Sequence, residues 1–174
     1  MRLFVAVNFD KATVDKLYSC GQIIKANSIS ANVSHRENLH LTLAFIGEVP
    51  SAKRAIDALQ RVNASPFELT VEGYGEFGKG SVCFAKTKRC HELSILADNV
   101  RNSLRCNGVS IDTKPFKPHI TLARQFEALP HFDKSEIEKA LGTNTVEVKE
   151  ISLLRSDRIN GRLTYTEVFK RTLG

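Results

Sequence analysis

His40-Leu41-Thr42-Leu43-Ala44 and His119-Ile120-Thr121-Leu122-Ala123 are nearly the same five residues, written twice at a separation of 79 positions. Each reads as a strand with one polar and one apolar side. In the first, His40 and Thr42 point one way while Leu39, Leu41, Leu43 and Phe45 point the other; in the second, His119 and Thr121 separate from Ile120 and Leu122 in the same manner. Each copy therefore buries an apolar row and offers a His/Thr pair.

The surroundings repeat as well. Before the first motif, residues 3–9 read as a buried strand, Asp10 as a helix N-cap, and Val14, Leu17 and Ile24 as the apolar stripe of a helix, followed by a polar segment that runs to Asn38. After it come Gly47 and Pro50, then Ser51 capping a helix with Ala55, Ile56, Leu59 and Val62 on one face, then a strand over 67–77. The second half gives a strand over 82–86, a helix carrying Leu93, Leu96, Val100 and Leu104, a polar stretch, the second motif, a turn at Pro130, a helix over 135–141 and a strand over 146–154. A turn at Asn160-Gly161 leads to a last strand over 163–170. The repeat thus covers about 2–77 and 82–154. Two copies are too few for a solenoid and predict one domain of two pseudo-symmetric lobes, each offering its His/Thr pair to a cleft between them.

Composition sets the class. The chain has 174 residues, of which 42% are apolar and 25% charged, an ordinary balance for a globular domain. No run approaches the ~20 apolar residues of a membrane-spanning helix, and the start, Met1 to Asn8, has too short an apolar run for a signal peptide. Cys20, Cys83, Cys90 and Cys106 lie far apart with no CxxC pair and read as reduced thiols, so a cytoplasmic protein without a membrane partner is expected. Lys plus Arg exceed Asp plus Glu by 25 to 19, which favours anionic ligands.

Three chemistries compete for two His/Thr pairs. Metal binding lacks a third ligand pattern, since neither motif carries a carboxylate or cysteine at ligand spacing. Nucleophilic catalysis asks for one activated hydroxyl, whereas Thr42 and Thr121 are equivalent and read as paired anion contacts. General acid and base catalysis fits best, because imidazole titrates near neutrality and one ring takes a proton while the other gives one. Phosphodiester hydrolysis wants a base and an acid on opposite sides of phosphorus, as a pseudo-twofold cleft would set them. The Thr hydroxyls then donate to nonbridging oxygens. This scheme requires no metal and no cofactor.

The chain resembles the two-histidine (2H) phosphoesterases, and among them the RNA 2',3'-cyclic phosphodiesterases first described as 2'-5' RNA ligases. The resemblance rests on paired HxTx motifs, His40-Leu41-Thr42-Leu43 and His119-Ile120-Thr121-Leu122. It extends to Arg2-Leu3-Phe4-Val5-Ala6, Glu37-Asn38-Leu39, Phe45-Ile46-Gly47-Glu48-Val49, Lys114-Pro115-Phe116-Lys117-Pro118, Arg124, Ser156, Gly161 and Tyr165. It implies an α+β fold, two pseudo-symmetric lobes of antiparallel sheet plus helices around a central cleft. It also implies metal-independent hydrolysis of an RNA terminal 2',3'-cyclic phosphate to a 2'-phosphate, with 2'-5' RNA ligase activity in reverse. His40 would be the proton donor to the departing O3' and His119 the proton acceptor from water, with Thr42, Thr121 and Arg124 holding the phosphate. Strict alternation puts Arg124 on the Leu side of its strand, so it reaches the cleft only where the strand bulges or ends near Ala123.

Other residues carry smaller expectations. Lys114 and Lys117 steer RNA or simply sit in a solvated loop, and Phe84 takes the place of a tryptophan common in the family. His35 reads as an ordinary loop histidine in preference to one lining the cleft mouth, His91 and His131 as residues at helix starts with no role, and Phe9 and Tyr165 as core packing in preference to base contacts. The expected partner is RNA with a 2',3'-cyclic phosphate end or a cyclic nucleotide, and the protein a monomer. A 2'-5' linked oligonucleotide or a small cyclic phosphate as substrate is one alternative. A non-catalytic RNA-end binding module is the other, disfavoured because binding alone would tolerate Lys or Arg in place of either histidine.

Overall fold

The two motif strands touch each other at one residue pair, in the middle of a nine-stranded antiparallel sheet. A computed structural model describes residues 1–78 and 80–174 of the chain. In chain order the elements are β1 (Arg2–Asn8), α1 (Lys11–Ala26), β2 (Ser28–Val33), β3 (His40–Glu48), α2 (Lys53–Gln60), β4 (Phe67–Phe77), β5 (Val82–Thr87), α3 (His91–Cys106), β6 (Ile120–Ala128), α4 (Lys134–Leu141), β7 (Asn144–Val148), β8 (Glu150–Ile159) and β9 (Arg162–Thr172). A single 3-10 turn, Arg36–Asn38, leads into β3. The sheet runs β7-β4-β5-β6-β3-β1-β8-β9, with β2 paired to β6 beside this path.

Local signals act as the sequence dictates. The Asp10 carboxylate accepts from the Thr13 backbone N–H at 2.8 Å and starts α1. Asp133 does the same for α4 through Ser135. At α2 the capping position falls on Ala52, one residue later than Ser51, and the Ser51 hydroxyl accepts instead from the Lys53 N–H at 3.2 Å. Leu3, Val5, Leu41, Leu43, Leu59, Leu96, Ile120, Leu122 and Ile137 join in one apolar core that takes residues from both copies of the repeat.

The halves of the sheet are not the two copies of the repeat. Strand β4, which closes the first copy, pairs with β5 and β7, while β8, which closes the second, pairs with β1. The helices exchange too: α1 packs on α4, β2 and β6, whereas α3 packs on α2 and β3. A 16-residue helix is about 24 Å long, long enough to cross the motif strands and cover the other half. The expectation of one copy per lobe is corrected accordingly.

Two further differences concern strands. The polar segment before the first motif contains β2, whose Ser28-Ile29-Ser30-Ala31-Asn32-Val33 has no apolar alternation because it pairs on one side only, with β6. The single strand expected over 146–154 is two, β7 and β8, parted at Lys149, where the chain leaves one half of the sheet for the other.

Candidate active site

Leu41 and Ile120 are the pair at which β3 and β6 meet, and both side chains are fully buried. Antiparallel register continued one step to either side sets His40 opposite Thr121 and Thr42 opposite His119. The pseudo-twofold axis runs through this pair, so the two motifs approach it from opposite sides. All four line one cleft of about 750 Å³, together with Arg124 and Tyr165.

Each histidine is oriented by the backbone. His40 Nδ1 lies 2.7 Å from the Asn38 carbonyl oxygen, and His119 Nδ1 lies 2.7 Å from that of Lys117. A carbonyl only accepts, so Nδ1 carries the proton on both rings and Nε2 is left for chemistry. On His40, Nε2 lies 3.0 Å from the Thr42 hydroxyl, which donates to it while the ring is neutral.

Aromatic walls enclose both rings. Phe4 and Tyr165 stand 4.9 and 5.3 Å from the His40 ring, and Phe77 and Phe84 stand 5.2 and 5.5 Å from that of His119. Burial pushes the His40 pKa down to about 4, against the help of the Asn38 carbonyl, and the nearby His119 and Arg124 lower it further. The Tyr165 hydroxyl is pushed up by burial, while the guanidinium groups of Arg124 and Arg2 pull it back.

Arg124 reaches the cleft through a bulge. Along β6, Cys83 faces Ala123 but Phe84 faces Thr121, so Leu122 is an extra residue. Leu122 and Ala123 are buried in succession, and the alternation changes sides before Arg124. The same happens in β3: Val5 faces Ala44 and Ala6 faces Thr42, which makes Leu43 the extra residue. Phe45, the counterpart of Arg124, is turned to the cleft by that bulge, and the Arg2 guanidinium lies 5.0 Å over its ring.

His35, Ser156 and Gly161 also line the cleft, whereas Phe9 opens onto a smaller recess of about 440 Å³ that shares the Tyr165 wall. Lys117 contributes its carbonyl, and neither its side chain nor that of Lys114 is among the lining groups. His91 opens α3 and His131 lies in the turn before α4, both away from the cleft. Phe84 packs on Phe77 with ring centroids 4.3 Å apart. Arg2, Ser34, Asn38 and Arg158 are cleft residues to which sequence reasoning gave no role. Only the quoted runs around Arg2 and Asn38 signalled any of them. Among the described residues no group of three His, Cys, Asp or Glu side chains could hold a metal ion, and no helix is long and apolar enough to cross a membrane.

Comparison with known proteins adds four findings. The model of the 2'-5' RNA ligase superfamily matches residues 22–160. The RNA 2',3'-cyclic phosphodiesterase of Archaeoglobus fulgidus is 38% identical over 131 residues, 71% of this chain and 72% of that protein. That of Geobacillus stearothermophilus is 34% identical over 131 residues, where this chain spans 42% of its relative's length. Among solved structures, Escherichia coli LigT complexed with 3'-AMP superposes with a TM-score of 0.80 at 25% identity, covering 99% of this chain and 97% of that one.

Proposed function

Since the chain belongs to the 2'-5' RNA ligase superfamily, we propose that its cleft hydrolyses the 2',3'-cyclic phosphate at the end of an RNA strand to a 2'-phosphate. The observation that carries this reading is the register about Leu41 and Ile120, which sets two Nε2-presenting histidines beside two threonines on either side of one axis.

A phosphate on that axis receives the Thr42 and Thr121 hydroxyls on its nonbridging oxygens, and Arg124 adds paired donors to the charge that builds there. His119 Nε2 takes a proton from water as the water oxygen attacks phosphorus. The P–O3' bond breaks on the far side, and His40 Nε2 gives O3' its proton. One turnover leaves His119 charged and His40 neutral, and exchange with solvent resets both. With a ribose 5'-hydroxyl in place of water, the same in-line step forms a 2'-5' bond.

His40 is neutral at pH 7 in the free protein, because burial holds its pKa near 4. A donor must be charged. The bound phosphate supplies the negative charge that draws a proton onto His40, which loads the acid only when substrate is present. Each histidine contributes about 10²- to 10⁴-fold.

The test is incubation in EDTA with an oligoribonucleotide ending in a 2',3'-cyclic phosphate, with products resolved as 2'- or 3'-phosphate. The expected result is a 2'-phosphate, formed at least ~10²-fold more slowly by His40→Ala and by His119→Ala. Binding without turnover by the unaltered protein, a 3'-phosphate product, or a metal requirement overturns the reading.

A further inference from the structure

Arg2, Ser156 and Tyr165 form a row across three neighbouring strands, β1, β8 and β9, since Arg2 faces Ser156 and Ser156 faces Tyr165. All three line the cleft. The row lies one cleft-facing step beyond Phe4, the residue of β1 that packs on His40. Two residues along a strand are about 6.6 Å, the scale of the spacing between neighbouring phosphates in one nucleic-acid strand.

The charges on and beside this row are uncommitted. Among the described residues Arg2 has no carboxylate partner, and its guanidinium is held over the Phe45 ring. Arg158, two residues beyond Ser156 on β8, spends one donor on the Gly161 carbonyl at 3.1 Å and keeps its charge. Asp157, the carboxylate in this wall, is engaged by Arg155 at 2.6 Å. Arg162 is paired with Glu37. Two cations therefore stand beside a neutralised acid in the wall of the cleft, outside the His/Thr pairs. Arg124 acts on both His40 and Tyr165, whereas Arg2 acts on Tyr165 and not on His40.

We infer that Arg2, stacked on Phe45, and Arg158 form a second anion subsite, which receives the phosphodiester one nucleotide upstream of the terminal cyclic phosphate. The inference rests on the reaction proposed above and adds its substrate class: a strand of at least two nucleotides, in preference to a nucleoside 2',3'-cyclic monophosphate. The pseudo-symmetry of the site supports it. The second motif delivers its guanidinium directly, from Arg124 after the β6 bulge. The first motif places Phe45 there instead, and Phe45 holds a guanidinium from the neighbouring strand further out.

The experiment compares uridine 2',3'-cyclic monophosphate with a trinucleotide ending in the same group, and with that trinucleotide carrying a neutral methylphosphonate at the upstream linkage. The unaltered protein, Arg2→Met and Arg158→Gln are each measured; methionine retains an aliphatic contact with Phe45. The expected result is a preference for the charged trinucleotide, expressed through KM. Each substitution lowers that preference about tenfold, and so does the methylphosphonate, on which the substitutions add nothing. The salt slope of log kcat/KM for the trinucleotide falls by about 0.7 for each arginine–phosphate pairing removed. A preference that the substitutions and the methylphosphonate leave intact, or an equal loss on both substrates, overturns the subsite while the reaction stands. If the unaltered protein hydrolyses neither substrate, the proposed reaction itself fails and takes the subsite with it.

Discussion

His40 is tied to Asn38 by a 2.7 Å hydrogen bond from its Nδ1 to the backbone carbonyl two residues earlier, and Asn38 is itself tied down. The Asn38 side chain is buried and donates through Nδ2 to the Leu163 carbonyl on β9 at 2.8 Å, while its Oδ1 has no partner among the described residues. The counterpart carbonyl, that of Lys117, lies on a loop between Phe116 and Pro118, where the Lys117 side chain makes no such hydrogen bond among the described residues. Asn38 is thus a positioning residue for one histidine of the pair. Asn38→Ala removes one hydrogen bond and one orphaned acceptor, two effects of opposite sign, each about 1–3 kcal/mol or less. The expected outcome is a kcat about tenfold lower with KM and melting temperature near the unaltered values; Lys117→Ala, which keeps its carbonyl, leaves kcat intact. A normal kcat in Asn38→Ala would remove Asn38 from the site.

The depressed His40 pKa has a sign that can be checked. Between the ordinary value of 6.5 and about 4, the unfolded chain holds a proton on His40 that the folded protein lacks. Stability therefore rises with pH across that window and is lost as pH falls through it. Phosphate bound in the cleft reverses the preference. At pH 6, calorimetric titration with inorganic phosphate in buffers of different ionisation enthalpy should show proton uptake, and His40→Gln should abolish most of it. Binding without uptake would mean that the acid is not loaded by substrate.

Thr42 and Thr121 are equivalent in the repeat but not in the site. The Thr42 hydroxyl lies 3.0 Å from His40 Nε2, so in the proposed reaction it serves the free histidine as well as the phosphate. Thr42→Val removes both functions in nearly the same shape, whereas Thr121→Val removes only the phosphate contact. Steady-state kinetics should give a fall of about 10- to 10²-fold for Thr121→Val, the loss of one preorganised donor, and a larger one for Thr42→Val. The pH profile of kcat/KM should shift only for Thr42→Val. Equal losses with unshifted profiles would contradict the asymmetry.

The motif strands and the face that each His/Thr pair presents were legible because a two-residue period is visible in five residues. Arg124 was legible only as a condition, since the bulge at Leu122 adds a residue without changing composition, and only its partner strand β5 reveals it. Its twin at Leu43 left no sign at all, although Leu-Ala follows Thr in both copies. The strand β2 and the cleft residues Asp157, Arg158 and Arg162 escaped for another reason. They are polar, alternation says nothing about partners, and β2 pairs with the distant β6. The exchange of α1 and α3 between halves likewise depends on how two copies share one core, which neither copy's pattern contains.

Gly75 shows how tightly the second histidine is held. A Cβ at this position would lie 2.6 Å from Cε2 and Cζ of Phe84 and 2.9 Å from Cε of Lys86. The Lys86 chain end can move, but Phe84 is buried, with Phe77 on one side and His119 on the other. Gly75→Ala must therefore push the Phe84 ring toward His119 or Phe77, at a cost of about 1–3 kcal/mol in an already filled core. The expected outcome is lower stability together with a fall in kcat of about tenfold, because His119 is displaced from line with phosphorus. Phe84→Leu in the same protein frees the space that the new methyl needs. The double variant should then recover kcat relative to Gly75→Ala, a coupling that a double-mutant cycle measures directly. Additive losses would show that Gly75 acts on the fold alone and that Phe84 does not hold His119 in place.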